Sequence, residues 1–178
     1  PTSSDIGTDS FIYDYTVSDG IALKAAYKPS KSGGLESSTE IGLQYTGVDG
    51  LTVSAAMGEN NAAADQIDLT VFSANYATGP LSFGVQINET EHGTGANNED
   101  FTAYGVSYAV SDDVSVSYGV STIDYASATK EDQDSSAVSV SFTAGGVAIS
   151  GSYQVTDNVA GTTTMDNTGY EINFSFAF

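Results

Sequence analysis

The chain has 178 residues, a mean hydropathy of −0.11 and a formal net charge of −19, set by 23 acids against four lysines. No run of eighteen apolar residues occurs, which excludes a membrane-spanning helix, and the acidic balance argues against a nucleic-acid partner. The absence of cysteine excludes a disulfide framework and thiolate metal sites. Gly, Ser, Thr, Asn and Asp are abundant, while the helix formers Leu, Lys and Glu are scarce, so the composition predicts an all-β fold.

The chain opens Pro1-Thr2-Ser3-Ser4-Asp5, with neither a basic start nor an apolar stretch that would mark a signal peptide. Strict alternation then begins. Phe11, Tyr13, Tyr15 and Val17 share one face of a predicted strand, with Ile12, Asp14 and Thr16 opposite. Ile21, Leu23, Ala25 and Tyr27 follow, backed by Lys24 and Lys28. The same period returns at Ile41–Tyr45 and Leu51–Met57. Between Ile67 and Tyr76 the phase breaks: Leu69 and Val71 are out of step with Phe72, Ala74 and Tyr76, which predicts a bulge near Phe72. Leu81–Ile87, Tyr104–Val110, Val114–Val120, Val138–Ala144 and Val147–Val155 resume the pattern. The last strand, Tyr170–Phe178, sets Tyr170, Ile172, Phe174, Phe176 and Phe178 on one face. About eleven strands of bilayer-spanning length result.

Connections alternate between short and long. Tight turns fall at Ser18-Asp19-Gly20, Val48-Asp49-Gly50, Gly79-Pro80, Ser111-Asp112-Asp113 and Gly145-Gly146. Longer polar loops fall near 29–38, 59–65, 90–100, 124–135 and 157–167. The repeat is therefore a hairpin of roughly 30 residues. Cross-strand neighbours must share a face, so Val17 and Ile21 predict a three-residue turn with Gly20 at positive φ. Ala144 and Val147 predict the two-residue turn Gly145-Gly146. Turn chemistry and face pattern agree on an antiparallel meander.

The polar face distinguishes a soluble sandwich from a membrane barrel. It carries mostly Ser, Gly, Ala, Asn, Gln and Thr, such as Ser115, Ser117, Ser139, Ser141, Ser82 and Gln86, where a water-facing sheet would carry Lys and Glu. Tyr15, Tyr45, Tyr76 and Tyr108 gather by the short turns and Tyr27 and Tyr153 towards the long loops, in the manner of two interfacial aromatic girdles. The predicted fold class is an all-β, antiparallel up-and-down transmembrane β-barrel. The competing reading is a secreted or surface-attached β-rich adhesin or fibre subunit.

Short turns on one side, long loops on the other, and the ending Tyr170-Glu171-Ile172-Asn173-Phe174-Ser175-Phe176-Ala177-Phe178 together resemble the C-terminal portion of Gram-negative outer-membrane general porins. The resemblance implies a passive diffusion channel in the bacterial outer membrane, a homotrimer, surrounding lipid and lipopolysaccharide, and barrel-assembly machinery that reads the alternating terminal residues. It also implies that the last strand and the Phe11–Val17 strand both run towards the periplasm. Residues 1–10 would then form an extracellular loop, with at least one strand before it, because such barrels have even strand counts. A 16-stranded parent would have about five further strands, roughly 80 residues.

No catalytic constellation is present, and an enzyme is not expected: His92 stands in a loop beside Glu91 without a Ser or Cys partner in a recognisable motif. The informative charges are those on the polar face. Register sets Asp14 opposite Lys24 pointing into the lumen; Lys28 lies further out along the same face, and Glu40 on the next strand is within reach of it. These form either water-screened wall ion pairs or the cationic side of a constriction, which in general porins faces an acidic inward-folded loop. Glu171 and Asp124 are expected to add acidic lumen groups, and the scarcity of lysine points to a cation preference. No cofactor is expected. The stretches Glu59-Asn60-Asn61, Asn97-Asn98-Glu99-Asp100 and Glu131-Asp132-Gln133-Asp134 offer oxygen ligands for Ca²⁺ or Mg²⁺, without the spacing of a defined Ca²⁺ loop; ordinary solvation is the plainer reading.

Overall fold

The computed structural model describes residues 10–30, 36–61 and 66–176. Its strands are β1 (Phe11–Ser18), β2 (Ile21–Lys28), β3 (Ser38–Val48), β4 (Leu51–Asn60), β5 (Ile67–Thr78), β6 (Leu81–His92), β7 (Glu99–Ala109), β8 (Val114–Tyr125), β9 (Gln133–Ala144), β10 (Val147–Asp157) and β11 (Asn167–Phe176). All eleven lie in one sheet in chain order, each antiparallel to the next. Single 3-10 turns at Gly95–Asn97 and Val159–Gly161 interrupt two of the longer loops. The expected extracellular loop at 1–10 lies outside the described residues except for Ser10, as do Phe178 and Ala177.

Ladder register follows the face pattern. Phe72 pairs with Ala55 and Ile87, Tyr76 with Leu51 and Phe83, and Val138 with Tyr118 and Tyr153, all within the apolar set. Gly145 and Gly146, at φ +59° and +81°, join Ala144 to Val147 in the expected two-residue turn, with the two positive φ values that a primed hairpin turn requires. At the first hairpin Gly20 has φ +82°, but Ser18 pairs directly with Ile21, and the extra residue is absorbed as a register shift at Val17. That hairpin is one residue tighter than the face argument predicts.

The bulge expected near Phe72 is not there: β5 pairs without interruption with both β4 and β6. The ladder keeps its register, and Ile67, Leu69 and Val71 simply turn to the polar face, opposite Asn60, Gly58 and Ala56. Strands also run further than their apolar residues suggest. β6 continues to His92 and β7 begins at Glu99, because backbone hydrogen bonds sustain the ladder where the side chains have become polar.

Among the described residues no side chain of a large apolar residue is buried. Tyr170 is 85% exposed, Ile172 and Phe174 62% each, and Phe176 57%, so the oily face has no protein layer against it. A sheet in water could not leave so much hydrocarbon bare; lipid is the solvent that suits it. The opposite face is concave. Thr52 on β4 and Ser139 on β9 line the same cavity of about 620 Å³, together with Asn75, Ser82, Gly105 and Ser117. On a flat sheet those two strands would stand about 24 Å apart.

Candidate pore wall

Small side chains shape the concave wall. Ser115 and Ser141 join their hydroxyl oxygens at 2.7 Å, Ser117 and Ser139 at 2.6 Å, and Ser135 donates to Thr156 at 3.1 Å. These cross-strand pairs satisfy one another while leaving the wall flush and hydrophilic, which suits contact with a column of water. Alternation brought them to one face, and this was legible in the sequence.

The charged residues of the wall lie where the registers put them. Asp14 and Lys24 are direct cross-strand partners, with Nζ 3.7 Å from Oδ1, and both side chains are well exposed. Lys24 in turn faces Gly42, Lys28 faces Ser38, and Glu40 lies between Ala26 and Gly58, diagonal to Lys28 on the same face. Glu171 stands across from Ser152, at the far edge of the sheet. The first four therefore form one group on β1–β3, and Glu171 belongs to another part of the wall. Glu99 also lies on this face, with Phe101, Ala103 and Gly105, and was not anticipated.

Asp124 corrects the sequence reading. It shares its face with Val116, Tyr118 and Val120, so it points away from the lumen. It belongs to a band of carboxylates on the outward face at the loop ends of the strands. Glu59, Asp68 and Glu91 lie in one ladder row and Glu89, Asp100 and Asp124 in the next, while Asp134 pairs with Asp157. The wall itself carries Asp14, Glu40, Glu99 and Glu171 against Lys24 and Lys28 on its strands. Much of the net negative charge thus sits outside the lumen, above the apolar belt. Whole-chain charge could not reveal this, because adjacent strand residues face opposite solvents.

The Asp124 carboxyl, beyond the belt, is held above the usual carboxylate range by partial burial first, then by Asp132, Asp100 and Asp134. The folded chain therefore binds this proton more readily than the unfolded chain. Its contribution to stability falls as pH rises from the ordinary Asp range through the raised value, and stays low above it. Asp124→Asn is accordingly expected to raise the urea midpoint at pH 7 by the equivalent of a few tenths of a kcal/mol, roughly what a screened surface interaction is worth, and to leave it unchanged at pH 3.

The acidic stretches considered for cations are partly strand: Glu59, Asn60, Glu99 and Asp100 lie in ladders. Among the described residues no three His, Asp or Glu side chains converge in a way that could hold a metal ion. His92 is the last residue of β6 rather than a loop residue; its N–H donates to Asn98 Oδ1 at 2.8 Å.

The model of one protein family, described as Gram-negative porin, matches residues 2–158. The chain belongs to that family. No curated protein sequence matches it. Among solved structures it is similar to the anion-selective porin from Comamonas acidovorans, with a TM-score of 0.79 at 14% identity over 96% of this chain and 59% of that one. It is also similar to a loop L8 deletion mutant of OmpT, an outer membrane protein of Vibrio cholerae (TM-score 0.70, 21% identity, 98% and 65%). A triple mutant of the Rhodopseudomonas blastica porin gives a TM-score of 0.67 at 20% identity over 95% and 55%. The porin chain described here thus spans 55–65% of the length of these three structures. Membership places it among the porins of the Gram-negative outer membrane and sets the adhesin reading aside.

Proposed function

We propose that this porin chain forms most of the wall of a water-filled channel for passive diffusion of small hydrophilic solutes and ions, with a preference for cations. The observation that carries the reading is the division of faces: hydroxyl-lined and concave within, hydrocarbon without. The complete barrel would draw on strands beyond these eleven. β1 and β11 run in the same direction, so an antiparallel barrel needs an odd number of strands between them. The assembly would be a homotrimer set in lipid and lipopolysaccharide. Tyr170, Ile172, Phe174, Phe176 and Phe178 would serve as the strand read by the assembly machinery.

Asp14, Lys24, Lys28 and Glu40 are the wall group that faces the passing ion, with Glu171 further round. Their field in water is modest, and it is felt most at low salt, where the screening length is about 30 Å at 0.01 M against about 3 Å at 1 M. The test is the reversal potential of the full-length protein in planar bilayers under a KCl gradient. A cation-selective sign is expected. Lys24→Glu, which sets a second carboxylate opposite Asp14, is expected to raise the cation-to-anion permeability ratio by about two- to three-fold at 0.1 M salt and by little at 1 M. An anion-selective wild type would reject the preference, and a protein that does not conduct would reject the channel.

A further inference from the structure

At the long-loop end the wall does not simply stop. The loops after β6, β8 and β10 are bonded to one another. Ala126 N–H donates to the Asn98 carbonyl at 3.0 Å, Glu131 N–H to the Gly161 carbonyl at 3.1 Å, and Asn158 Nδ2 to the Asp132 carbonyl at 3.1 Å. Ala160 N–H reaches Gln133 Oε1, on the wall face of β9, at 2.8 Å. Three hairpin loops thus make one continuous rim on the lumen side.

Lys130 stands at the junction. Its ammonium lies 3.7 Å from the Glu99 carboxylate and 4.0 Å from the centre of the Tyr125 ring, and both partners are cross-strand neighbours on the wall face of β7 and β8. Its aliphatic stem is packed against Gly161 so closely that a Cβ built on that glycine would fall 2.8 Å from Lys130 Cβ. Gly161, at φ +73°, is the one buried position among the described residues. In a sheet without a core, the single buried point is where two loops meet on this side chain. Lys130 is also the only basic Lys or Arg after Lys31, in a rim that carries Glu99, Glu131, Asp132 and Asp166.

We propose that Lys130 is a positioning and selectivity-determining residue of the outer mouth. It clamps the loops 126–132 and 158–166 to the wall through Glu99, Tyr125 and Gly161, and it neutralises Glu99 at the entrance. The proposal rests on the channel reading for the second role only; the clamp stands on loop geometry. Both contacts are made by one flexible side chain, and the pairing of a cation with both a carboxylate and an aromatic face ties down its charge and its stem together. Neutralising it would leave Glu99 bare at the mouth and the Gly161 turn without its packing partner.

The test uses the full-length protein in lipid, with spin labels on Ala128→Cys and Thr163→Cys, one in each loop, added to a chain that has no native cysteine over these residues. Wild type is expected to give one narrow distance distribution. Lys130→Gln is expected to broaden it at least two-fold, to raise the cation-to-anion permeability ratio about two-fold at 0.1 M salt, and to add brief closures to the current record. Glu99→Gln, which keeps the lysine but removes its anion, is expected to broaden the distances without the rise in cation preference. A width unchanged in both variants overturns the clamp, and a shifted reversal potential with unchanged distances does so too. Broadened distances in a protein that never conducts would uphold the clamp and reject the channel reading.

Discussion

Arginine at position 140 is expected to prevent stable insertion, while arginine one residue earlier is expected to be accepted. Val140 is the middle member of the apolar run of β9, between Phe142 and Val138, and pairs with Val116 and Gly151 on the outward face. It is 48% exposed in the absence of lipid, so in a bilayer the new guanidinium would lie in hydrocarbon. A charge near the midplane of a barrel's lipid face costs about 2–4 kcal/mol, a large part of the margin of an ordinary fold. Ser139 faces the lumen and shares a hydrogen bond with Ser117. Ser139→Arg gives up that bond, worth about 1 kcal/mol, but places its charge in water. Urea unfolding in lipid vesicles should therefore show a large loss for Val140→Arg and a small one for Ser139→Arg. Single-channel recording should show the reverse ranking of functional change among the molecules that insert, with conductance reduced by Ser139→Arg. Equal stability losses would mean that the two faces see the same medium.

That contrast depends only on parity, which is why so much of the fold could be read from residues alone. Tyr15, Tyr45, Val140 and Phe174 each fall on the face that a period of two assigns them, and the glycines at 20, 50, 145 and 146 fall where the chain needs positive φ. The reading failed where hydrophobicity stopped reporting on the backbone. Leu69 and Val71 are apolar residues on the wall face, and were taken for a break in the ladder. Asp124 is polar on the outward face, and was taken for a lumen group. Both errors occur near the loop end, where the strands leave the apolar belt and water lies on both sides of the sheet. There the hydrogen-bond ladder continues, but the rule linking apolar to outward no longer holds. The rim around Lys130 was out of reach for a different reason. It is built from backbone bonds between loops about 30 residues apart, and nothing in a loop's composition records which neighbour it will touch.

The short-turn end has its own non-local feature, and Gly50→Val is expected to damage it severely. Four of the five turns there are bonded to the next hairpin. Thr46 N–H donates to the Gly20 carbonyl at 2.7 Å, Ala77 to Gly50 at 2.8 Å, Ala109 to Pro80 at 2.8 Å and Thr143 to Asp113 at 2.8 Å. These hairpins are thus shingled, with each of the four turns held by the strand that follows its own pair. Gly50 has φ +73°, and a Cβ there would fall 2.1 Å from the Ala77 carbonyl oxygen, next to the amide that holds the turn. A β-branched side chain would therefore meet the left-handed backbone penalty of about 1–2 kcal/mol and would also force apart a bond worth about 1 kcal/mol. Together with the displaced carbonyl, the expected loss is about 2–4 kcal/mol. Gly79 provides the comparison: its φ is +56°, yet nothing lies within 4 Å of the position its Cβ would take. Gly79→Asn, a residue that tolerates the left-handed region, should cost less than about 1 kcal/mol. Urea midpoints of the two variants in lipid vesicles separate the effects. If Gly50→Val loses no more than Gly79→Asn, the turns act singly and the shingled rim contributes nothing to holding the sheet in register.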